Sequence, residues 1–509
     1  MRSNEGVDQV TTVWISCWTR VALRALLTVA VGVVVALPSL AAAQTASVEP
    51  QVTFTKDIAP ILQRSCQKCH RPNSLAPMSL LTYEDARPWA RAIKARTARV
   101  GKSDVMPPWY IEKDIGIQQY KGDISLSEEE IARIAAWADS GTPRGNPADI
   151  PPPLTFADAA LWEIGEPDLI VSSPTVDVAA TAPDWWGPIG SAPTGLTEDR
   201  YVQAVEMKEV NNREPSTARE TVGSKWAIHH LIWRAVSPDQ PTAEEIARLR
   251  TEDPAEFQRV VAESVGQGFW PVHEVGRNAD YFDPKAGLRL RAGSSLVFSS
   301  AHLHSTGSHT TTRLDIGFKF HPRGYEPTLT NVPAFTGTLN LDIRGNEANQ
   351  RVEAFQTLQQ NVKLSMFEPH LHAAGVRMCL DAIYTTGLIE TLSCAGYNHS
   401  WVRAYPYADH AAPLLPKGTI LRVTGYFDTT PANKNVADGR NWSGLGHRSI
   451  DQMMINLSQG VYLTDEQFAE ELAQRRKDLN LTAGQYVLGC PLCGPDDAEA
   501  DTSSSQNQP

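Results

Sequence analysis

The octapeptide "EPHLHAAG" at residues 368–375 holds two histidines, His370 and His372, in alternate positions. The octapeptide "SAHLHSTG" at residues 300–307 repeats this spacing earlier in the chain. Alternate residues of a β-strand point to the same face of a sheet. Each stretch therefore predicts a strand that presents two imidazoles side by side, and imidazole binds copper, zinc and iron.

The second stretch contributes His302 and His304, and "KWAIHHLIW" adds the adjacent pair His229 and His230. With 13 histidines in 509 residues, chance produces a given spacing roughly 0.3 times, so three pairs in one part of the chain predict metal binding. Neighbouring residues of a regular strand face opposite sides. His229 and His230 can therefore share an ion only if the strand is distorted or if they use different ring nitrogens. The sequence leaves both options open.

Short runs rich in β-branched and aromatic residues, separated by Pro, Gly and Asn turns, fill the chain beyond residue 160. Examples are "HHLIWRAV", "SSLVFSSAHLH", "TRLDIGFKF" and "GTILRVTGYF". Many short strands of this kind predict antiparallel β-sandwiches. The length suits two such domains, which we assign to residues 160–325 and 326–488.

A different motif lies in residues 44–148, where "SCQKCH" contains Cys66, Cys69 and His70. This spacing is that of a c-type haem attachment site, in which two thiols bind the haem covalently and the histidine binds its iron. A zinc half-site is the rival interpretation, and it would need a second cysteine pair. Predicted helices on both sides of the motif, including a capped one within "SLSEEEIARIAAWADSG" that ends at Gly141, make this segment resemble a small, all-α cytochrome c.

The sixth iron ligand of such a haem is expected to be Met or His, and the segment offers Met106 and Met78. Met106 lies in "DVMPPWY", where two prolines stiffen the loop, so we favour it and interpret Met78 as core filler. Met–His ligation leaves no open site on the iron. The haem is therefore predicted to carry electrons and not to bind oxygen. A proline-rich linker follows at residues 149–159.

Composition limits the class of protein and its partners. The net charge is −12 and no basic run is present, which excludes nucleic acid as an expected partner. Residues 1–43 end in an apolar run and "AAA", as a cleaved secretory signal does. An uncleaved anchor is the alternative, but the run is short for a membrane span. No other segment suits a transmembrane helix, so we predict a mature chain that is exported to the periplasm or the cell exterior.

The remaining cysteines fit an exported protein. Cys379 and Cys394 are placed to pair across a hairpin, and Cys490 and Cys493 form "CPLC" at the start of a polar tail, residues 489–509. An oxidising compartment favours two disulfides. A metal at "CPLC" is the alternative, although further ligands are not evident nearby.

From residue 160 to about residue 465 the chain resembles the two-copper, ascorbate-dependent monooxygenases, the family of peptidylglycine α-hydroxylating monooxygenase and dopamine β-monooxygenase. Four motifs occur in the order of that family, namely "AIHHLIW", "FWPVHEVGRNADYFDPKAGLRLRAGSSLVFSSAHLHSTG", "MFEPHLHAAGVRM" and "SIDQMMINL". The resemblance implies two jelly-roll-like sandwich domains that each hold one copper ion.

The resemblance also implies the ligands of an electron-transfer copper. These are His229, His230 and His304. His302 then has a supporting role, although the spacing alone would make it a ligand.

The oxygen-activating copper is implied to bind His370, His372 and Met453. Met454 is the rival sulfur, because aligning "DQM" selects Met453 whereas aligning "MINL" selects Met454. A thioether favours Cu(I), the state that meets dioxygen.

Three positions depart from the pattern of the family. Glu368 occupies the place of an arginine that grips the substrate carboxylate, Leu457 replaces a tyrosine, and Met454 replaces a cysteine. A glycine-extended peptide is therefore a poor candidate substrate. Glu368 either meets a cationic or neutral group or is a solvated strand residue.

Together these features predict a copper-dependent monooxygenase that hydroxylates a C–H bond of a small substrate with O2. It would contain two copper ions and one covalent haem c, with electrons relayed through the haem from an ascorbate-like reductant or another redox protein. The alternative is a non-catalytic exported copper and haem electron-transfer protein. A zinc hydrolase is disfavoured by the methionine, and zinc does not cycle between redox states.

Overall fold

The computed structural model describes residues 51–494 apart from residues 73, 75, 77, 103, 157–161, 214–221, 242, 258–269, 277–278 and 483. The predicted signal peptide, the end of the predicted linker and most of the polar tail lie outside the described residues. Within the described part, no helix has both the length and the apolar character needed to cross a membrane.

Helices surround the "SCQKCH" motif, as predicted. The helical elements are a π-helical turn (Phe54–Ile58), α1 (Ala59–Ser65), α2 (Tyr83–Ala86), a 3-10 turn (Arg87–Trp89), α3 (Ala90–Thr97), α4 (Glu128–Asp139) and a 3-10 turn (Pro147–Asp149). The predicted cap of α4 is confirmed, because the Ser127 hydroxyl accepts from the Glu130 N–H while the Glu130 carboxylate accepts from the Ser127 N–H. Phe54, Leu62 and Trp137 pack in one apolar core between these helices.

The segment is not all-α as expected, because it also contains a strand. This strand, β1 (Ile111–Gly116), pairs antiparallel with β20 (Ile389–Gly396). Next to it, Trp109 packs edge-on against Tyr405, with 5.1 Å between ring centroids, and is buried in the core of the C-terminal sheets. Large aromatic side chains gain more from burial against a sheet than from exposure on a small helical domain, which accounts for the difference.

The first sandwich consists of two antiparallel sheets. One contains β2 (Leu169–Ser172), β3 (Val176–Val178), β6 (Arg200–Asn211), β9 (Ala279–Tyr281), β10 (Leu288–Leu290) and β12 (Thr310–Phe320), with the central order β10-β6-β12-β2. The other contains β4 (Trp185–Gly187), β5 (Gly190–Pro193), β7 (Ile228–Val236), β8 (His273–Glu274) and β11 (Ser295–Leu303), with the central order β4-β11-β7-β8. Both sheets contribute to one buried core that includes Val205, Leu314, Leu231 and Phe298. Two helices, α5 (Val222–Lys225) and α6 (Ala243–Glu252), interrupt the strands.

The second sandwich has one large sheet and several small ones. The large sheet has the order β1-β20-β19-β23-β15, with β15 (Gln350–Thr357), β19 (Gly375–Ile383) and β23 (Ile420–Phe427). The small sheets contain β13 (Thr330–Pro333), β14 (Thr336–Gly337), β16 (Asn361–Leu364), β17 (Met366–Phe367), β18 (Pro369–Leu371), β21 (Tyr405–Pro406), β22 (Leu414–Leu415), β24 (Met454–Asn456) and β25 (Gln459–Leu463). Leu380 and Val423 from the large sheet share a core with Leu371 and Met454 from a small one. Helix α7 (Asp465–Asp478) follows the last strand.

The cysteines beyond the haem motif form two disulfides, as predicted. Cys379 pairs with Cys394, directly opposite it in the β19-β20 ladder, and Cys490 pairs with Cys493. The antiparallel sandwiches are confirmed as well. The helical segment and both sandwiches belong to one compact unit that starts at Val52.

Candidate metal centre

Strand β7 is distorted where it carries the adjacent histidines. In the register between β7 and β11, His230 pairs with His302 and Ile228 pairs with Leu303, which leaves His229 as an extra residue. Such a bulge bends a strand and redirects its side chains. It supplies the distortion that two neighbouring histidines need in order to face the same space, and their ring centroids lie 6.1 Å apart.

His229, His230 and His302 form a triad that could hold a metal ion. One ring nitrogen from each lies within 4.8 Å of the others. Both nitrogens of His302 are already engaged, however, since Nε2 lies 3.0 Å from Asp184 Oδ2 and Nδ1 lies 3.0 Å from Ser449 Oγ. His302 would have to give up one of these hydrogen bonds to bind an ion.

His304 lies at the edge of the same group. Its ring centroid is 6.2 Å from that of His229 and 6.3 Å from that of His302. The Nδ1 atom of His304 lies 3.2 Å from the Ser305 carbonyl oxygen. A proton on Nδ1 would leave the lone pair on Nε2 for an ion. Hydrogen bonds thus engage both nitrogens of His302 but only Nδ1 of His304, and the assignment of His304 as a ligand and His302 as its support stays a prediction.

His370 and His372 lie together on the second sandwich, at and just beyond β18. Their ring centroids are 5.5 Å apart. His372 is almost fully buried, and its Nδ1 lies 3.3 Å from the Asp451 carbonyl oxygen. The Nδ1 atom of His370 lies 2.8 Å from Oε1 of Glu274, a buried residue of the first sandwich that the sequence did not single out.

The two candidate methionines lie at the start of β24, which Met454 begins and Met453 immediately precedes. Met454 pairs with Leu371 in the β18-β24 ladder, is 1 % exposed and packs its Sδ against Gly425 in the apolar core. In the same ladder His370 pairs with Ile455. Because faces alternate along a strand, Met454 belongs to the core face, and the same alternation carried one residue before β24 would put Met453 on the face of His370. This alternation favours Met453 as the ligand.

His399 joins the two histidine sets, and the sequence did not single it out. It lies on the loop after β20, with its ring centroid 4.9 Å from that of His229 and 6.1 Å from that of His372. The predicted sets therefore form one continuous group. We call it the histidine group; its members are His229, His230, His302, His304, His370, His372 and His399. No spacing rule pointed to His399, because a tertiary contact brings its loop to β7.

Burial keeps most of the histidine group neutral. It lowers the pKa of His229, His230 and His372 well below the usual value, and the neighbouring imidazoles add to the effect. The same causes lower the pKa of His399 to about 4. Neutral imidazole is the form that binds metal ions. In addition, the Nδ1 atoms of His229 and His399 are buried without a hydrogen-bond partner. These nitrogens are therefore available to bind an ion.

Glu209 anchors the start of β7, and sequence reasoning missed it too. Its buried carboxylate accepts hydrogen bonds from the backbone N–H groups of Ala227 and Ile228, each at 2.9 Å. It also accepts from the Thr312 hydroxyl at 2.9 Å. Burial raises the pKa of Glu209, and these hydrogen bonds oppose that shift. The carboxylate thus fixes the backbone immediately before His229.

The "SCQKCH" motif has free thiols. Cys66 and Cys69 are the unpaired cysteines of the described residues, and burial raises the pKa of Cys66 to about 12. The Nδ1 atom of His70 lies 3.2 Å from the Met78 carbonyl oxygen. A hydrogen bond from Nδ1–H to that oxygen would orient the ring and leave Nε2 to bind the iron of a haem attached at this motif.

The surroundings of the two methionines differ. Met78 packs against the helical core, and its backbone lies on the Nδ1 side of His70. This packing suits the interpretation of Met78 as core filler. Met106 is 41 % exposed and lines a cavity of about 180 Å³ with Val105, Trp109 and Leu126. Cys66, Cys69 and His70 do not line this cavity, so Met106 as an iron ligand stays a prediction.

Glu368 is not a solvated strand residue, so that interpretation was wrong. Its residue surface is 0 % exposed, and it lies close enough to Tyr397 to raise the pKa of that phenol, together with burial and Glu274. A buried carboxylate two positions before His370 makes the surroundings of this pair acidic. It is unlike the arginine of the peptide-amidating enzymes.

Comparisons with known proteins do not assign the chain to a family. No protein-family model matches it, and a search of curated proteins gives no match.

Proposed function

We propose that the chain is a copper-dependent monooxygenase that hydroxylates a C–H bond of a small substrate with O2. The observation that carries the proposal is the histidine group, in which imidazoles from both sandwiches meet, and in which His370 lies on the strand that pairs with β24, which begins directly after Met453. Imidazole with a soft thioether suits copper, which supplies one-electron redox chemistry and oxygen activation when bound. Zinc would fit the imidazoles but not the reaction.

The proposed ligands divide the two tasks between the sandwiches. His229, His230 and His304 would hold the electron-transfer ion. His370, His372 and Met453 would hold the oxygen-activating ion, because two imidazoles and one weak sulfur leave coordination positions open. The evidence for Met453 is the alternation that buries Met454 in the core.

Other residues of the chain hold these ligands in place. Asp184 and Ser449 fix both nitrogens of His302, whose ring stacks on Trp186 with 4.7 Å between centroids. Because His302 packs against His229 and His230, this arrangement restricts their ring positions. Ligands fixed by neighbouring hydrogen bonds lose little freedom on binding an ion.

The second part of the proposal is that a haem attached at Cys66 and Cys69 supplies electrons to the copper sites. The loop from Asn398 to Arg403 supports this part of the proposal. It contains His399, and its last residue lies near the "SCQKCH" motif. The Arg403 charge lowers the pKa of Cys69, against the larger effect of burial, and its guanidinium lies 5.3 Å from the centroid of the Trp109 ring. A single short loop thus connects the histidine group with the motif.

The proposed location is the periplasm or the cell exterior. Two disulfides suit an oxidising compartment. An ascorbate-like reductant or another redox protein would deliver electrons there.

Metal analysis and oxygen uptake test the proposal. We expect two copper ions and one haem iron per chain, and O2 uptake that depends on an exported small metabolite, with one ¹⁸O atom from ¹⁸O2 in the product. Copper without any substrate-dependent uptake would favour the non-catalytic electron-transfer protein.

The electron supply has its own test. The haem is reduced in the copper-loaded protein, which is then mixed with O2. Haem oxidation should be faster than in a His304→Ala variant, and equal rates would contradict the relay.

A further inference from the structure

We propose that His399 is a metal ligand that shares an ion with His229 and so adds a nitrogen from the second sandwich to the first copper site. No sequence motif or resemblance assigns this residue a role. The inference rests on the proposed function for the identity of the metal, but its geometric basis is independent of the reaction.

The distance between the two rings is that of ligands on one ion. Nitrogen ligands bind ions of this kind at about 2.0–2.1 Å, which brings the centroids of two imidazoles on one ion to roughly 5–6 Å. The centroids of His399 and His229 lie 4.9 Å apart, closer than the 6.1 Å between His399 and His372. His229 is therefore the better partner of the two.

The second observation is that both residues have a buried nitrogen with nothing to bind. The Nδ1 atoms of His229 and His399 each lack a hydrogen-bond partner and are out of contact with solvent. Leaving a buried polar atom without a partner carries a free-energy cost. An ion bound to both nitrogens would remove this cost at two residues together.

The shared ion would then bind imidazoles from both sandwiches, with His230 and His304 as the other proposed ligands of the first site. An additional imidazole would leave fewer coordination positions for O2 at this ion. The inference therefore extends the proposed function, in which this site takes up and releases electrons and oxygen binds at the other site. The site is also incomplete until the two sandwiches are in contact, because His399 belongs to the second one.

The loop that contains His399 also contacts the segment that follows the "SCQKCH" motif. The Asn398 amide donates to the Tyr110 hydroxyl at 3.3 Å, and Val402 N–H donates to the Val275 carbonyl oxygen at 3.1 Å. An ion on His399 would fix a loop that is already attached to both neighbouring segments. Binding of the ion would therefore order the connection between the histidine group and the haem motif.

The test uses the full chain with its haem attached. The metal-free protein is titrated with Cu(II) in the wild type, in His399→Gln and in the matched control His410→Gln, which alters an exposed histidine of the same sandwich. We expect His399→Gln to weaken binding at one of the two sites at least about tenfold. Nitrogen hyperfine structure in the electron paramagnetic resonance spectrum should show one nitrogen fewer at that site. His410→Gln should change neither quantity.

Two further measurements cover the possibility that a variant misfolds. Added imidazole should restore the wild-type spectrum in His399→Gly. In the wild-type protein, copper should protect His399 but not His410 from modification by diethyl pyrocarbonate, as read by mass spectrometry. Lack of protection would overturn the inference even if no variant were soluble.

The outcomes separate this inference from the proposed function. Two copper ions with unchanged affinity and spectrum in His399→Gln would overturn the ligand role alone. A wild-type protein that retains no copper but binds Zn(II) or Co(II) through His399 would keep the ligand role and refute the monooxygenase. A protein that binds none of these metals would refute both.

Discussion

The Oε1 atom of Glu274 lies 2.8 Å from Nδ1 of His370, across the boundary between the two sandwiches. Glu274 pairs with His230 in the β7-β8 ladder and is 2 % exposed. One buried carboxylate, paired in its ladder with His230, thus lies beside His370, a proposed ligand of the second site. A carboxylate at the far nitrogen of a metal-binding histidine fixes the ring and raises its basicity.

Replacing Glu274 should therefore weaken the second site. We expect Glu274→Gln to lower copper affinity at the His370 site by roughly 10–100-fold, because the amide cannot stabilise the ring in the same way. Copper titration measures the effect, and Glu326→Gln, a change at an exposed glutamate, is the control. Equal affinities in the two variants would show that the contact is incidental.

The two methionines should respond differently to the same substitution. Met453→Leu removes the proposed sulfur ligand, so substrate-dependent O2 uptake should fall at least tenfold while the fold is retained. Met454→Leu conserves volume in the core and should cost less than about 1.5 kcal/mol of unfolding free energy with uptake unchanged. Uptake assays and urea unfolding of both variants decide the question. The reverse pattern would move the ligand to Met454.

Acid should destabilise the metal-free protein through its buried histidines. Burial lowers the pKa of His273 from 6.5 to about 4. Between these values the unfolded chain binds a proton that the folded chain does not, so the free energy of unfolding falls as the pH falls. From pH 7 to pH 5 this residue accounts for about 2 kcal/mol of the loss.

The variant His273→Gln isolates that contribution. Its unfolding free energy, from urea titrations at pH 7 and pH 5, should change less than that of the wild type, and His410→Gln should behave as the wild type does. A loss between pH 7 and pH 5 that is the same in all three proteins would assign the acid sensitivity to other groups.

Replacing Glu209 should lower both the free energy of unfolding and the affinity for copper. Glu209→Ala leaves the buried N–H groups of Ala227 and Ile228 without an acceptor, which should lower the free energy of unfolding by about 2–4 kcal/mol. The freed backbone should also weaken copper binding at His229 and His230. Calorimetry and copper titration test both effects. Glu209→Gln retains one acceptor oxygen and should lose less of each.

Local sequence rules predicted the parts of the fold that depend on local chemistry. The Ser127 cap, the alternation around His370 and the pairing of Cys379 with Cys394 all follow from residue types at short spacing. The bulge at His229 did not, because a one-residue shift between two strands depends on how both fit their sheet. His399 was missed for the same reason, since its neighbours come from distant strands.

The fold of residues 44–148 was predicted only in part, because aromatic residues of this segment pack outside it. Its helices follow from caps and periodicity, but Trp109 and Tyr110 pack on a partner that begins more than 200 residues later in the chain. No local pattern reveals that partner. The same limit applies to Glu274, whose contact with His370 joins two separate strands.

Strand β1 also limits where the chain can be truncated. It forms an edge of the five-stranded sheet, with Trp109 and Tyr120 covering the apolar surface beside it. A truncated protein that starts after residue 148 would uncover this surface together with the unpaired backbone of β20, a combination that promotes aggregation. Engineering that exchanges the N-terminal segment must therefore carry over strand β1 as well as the "SCQKCH" motif.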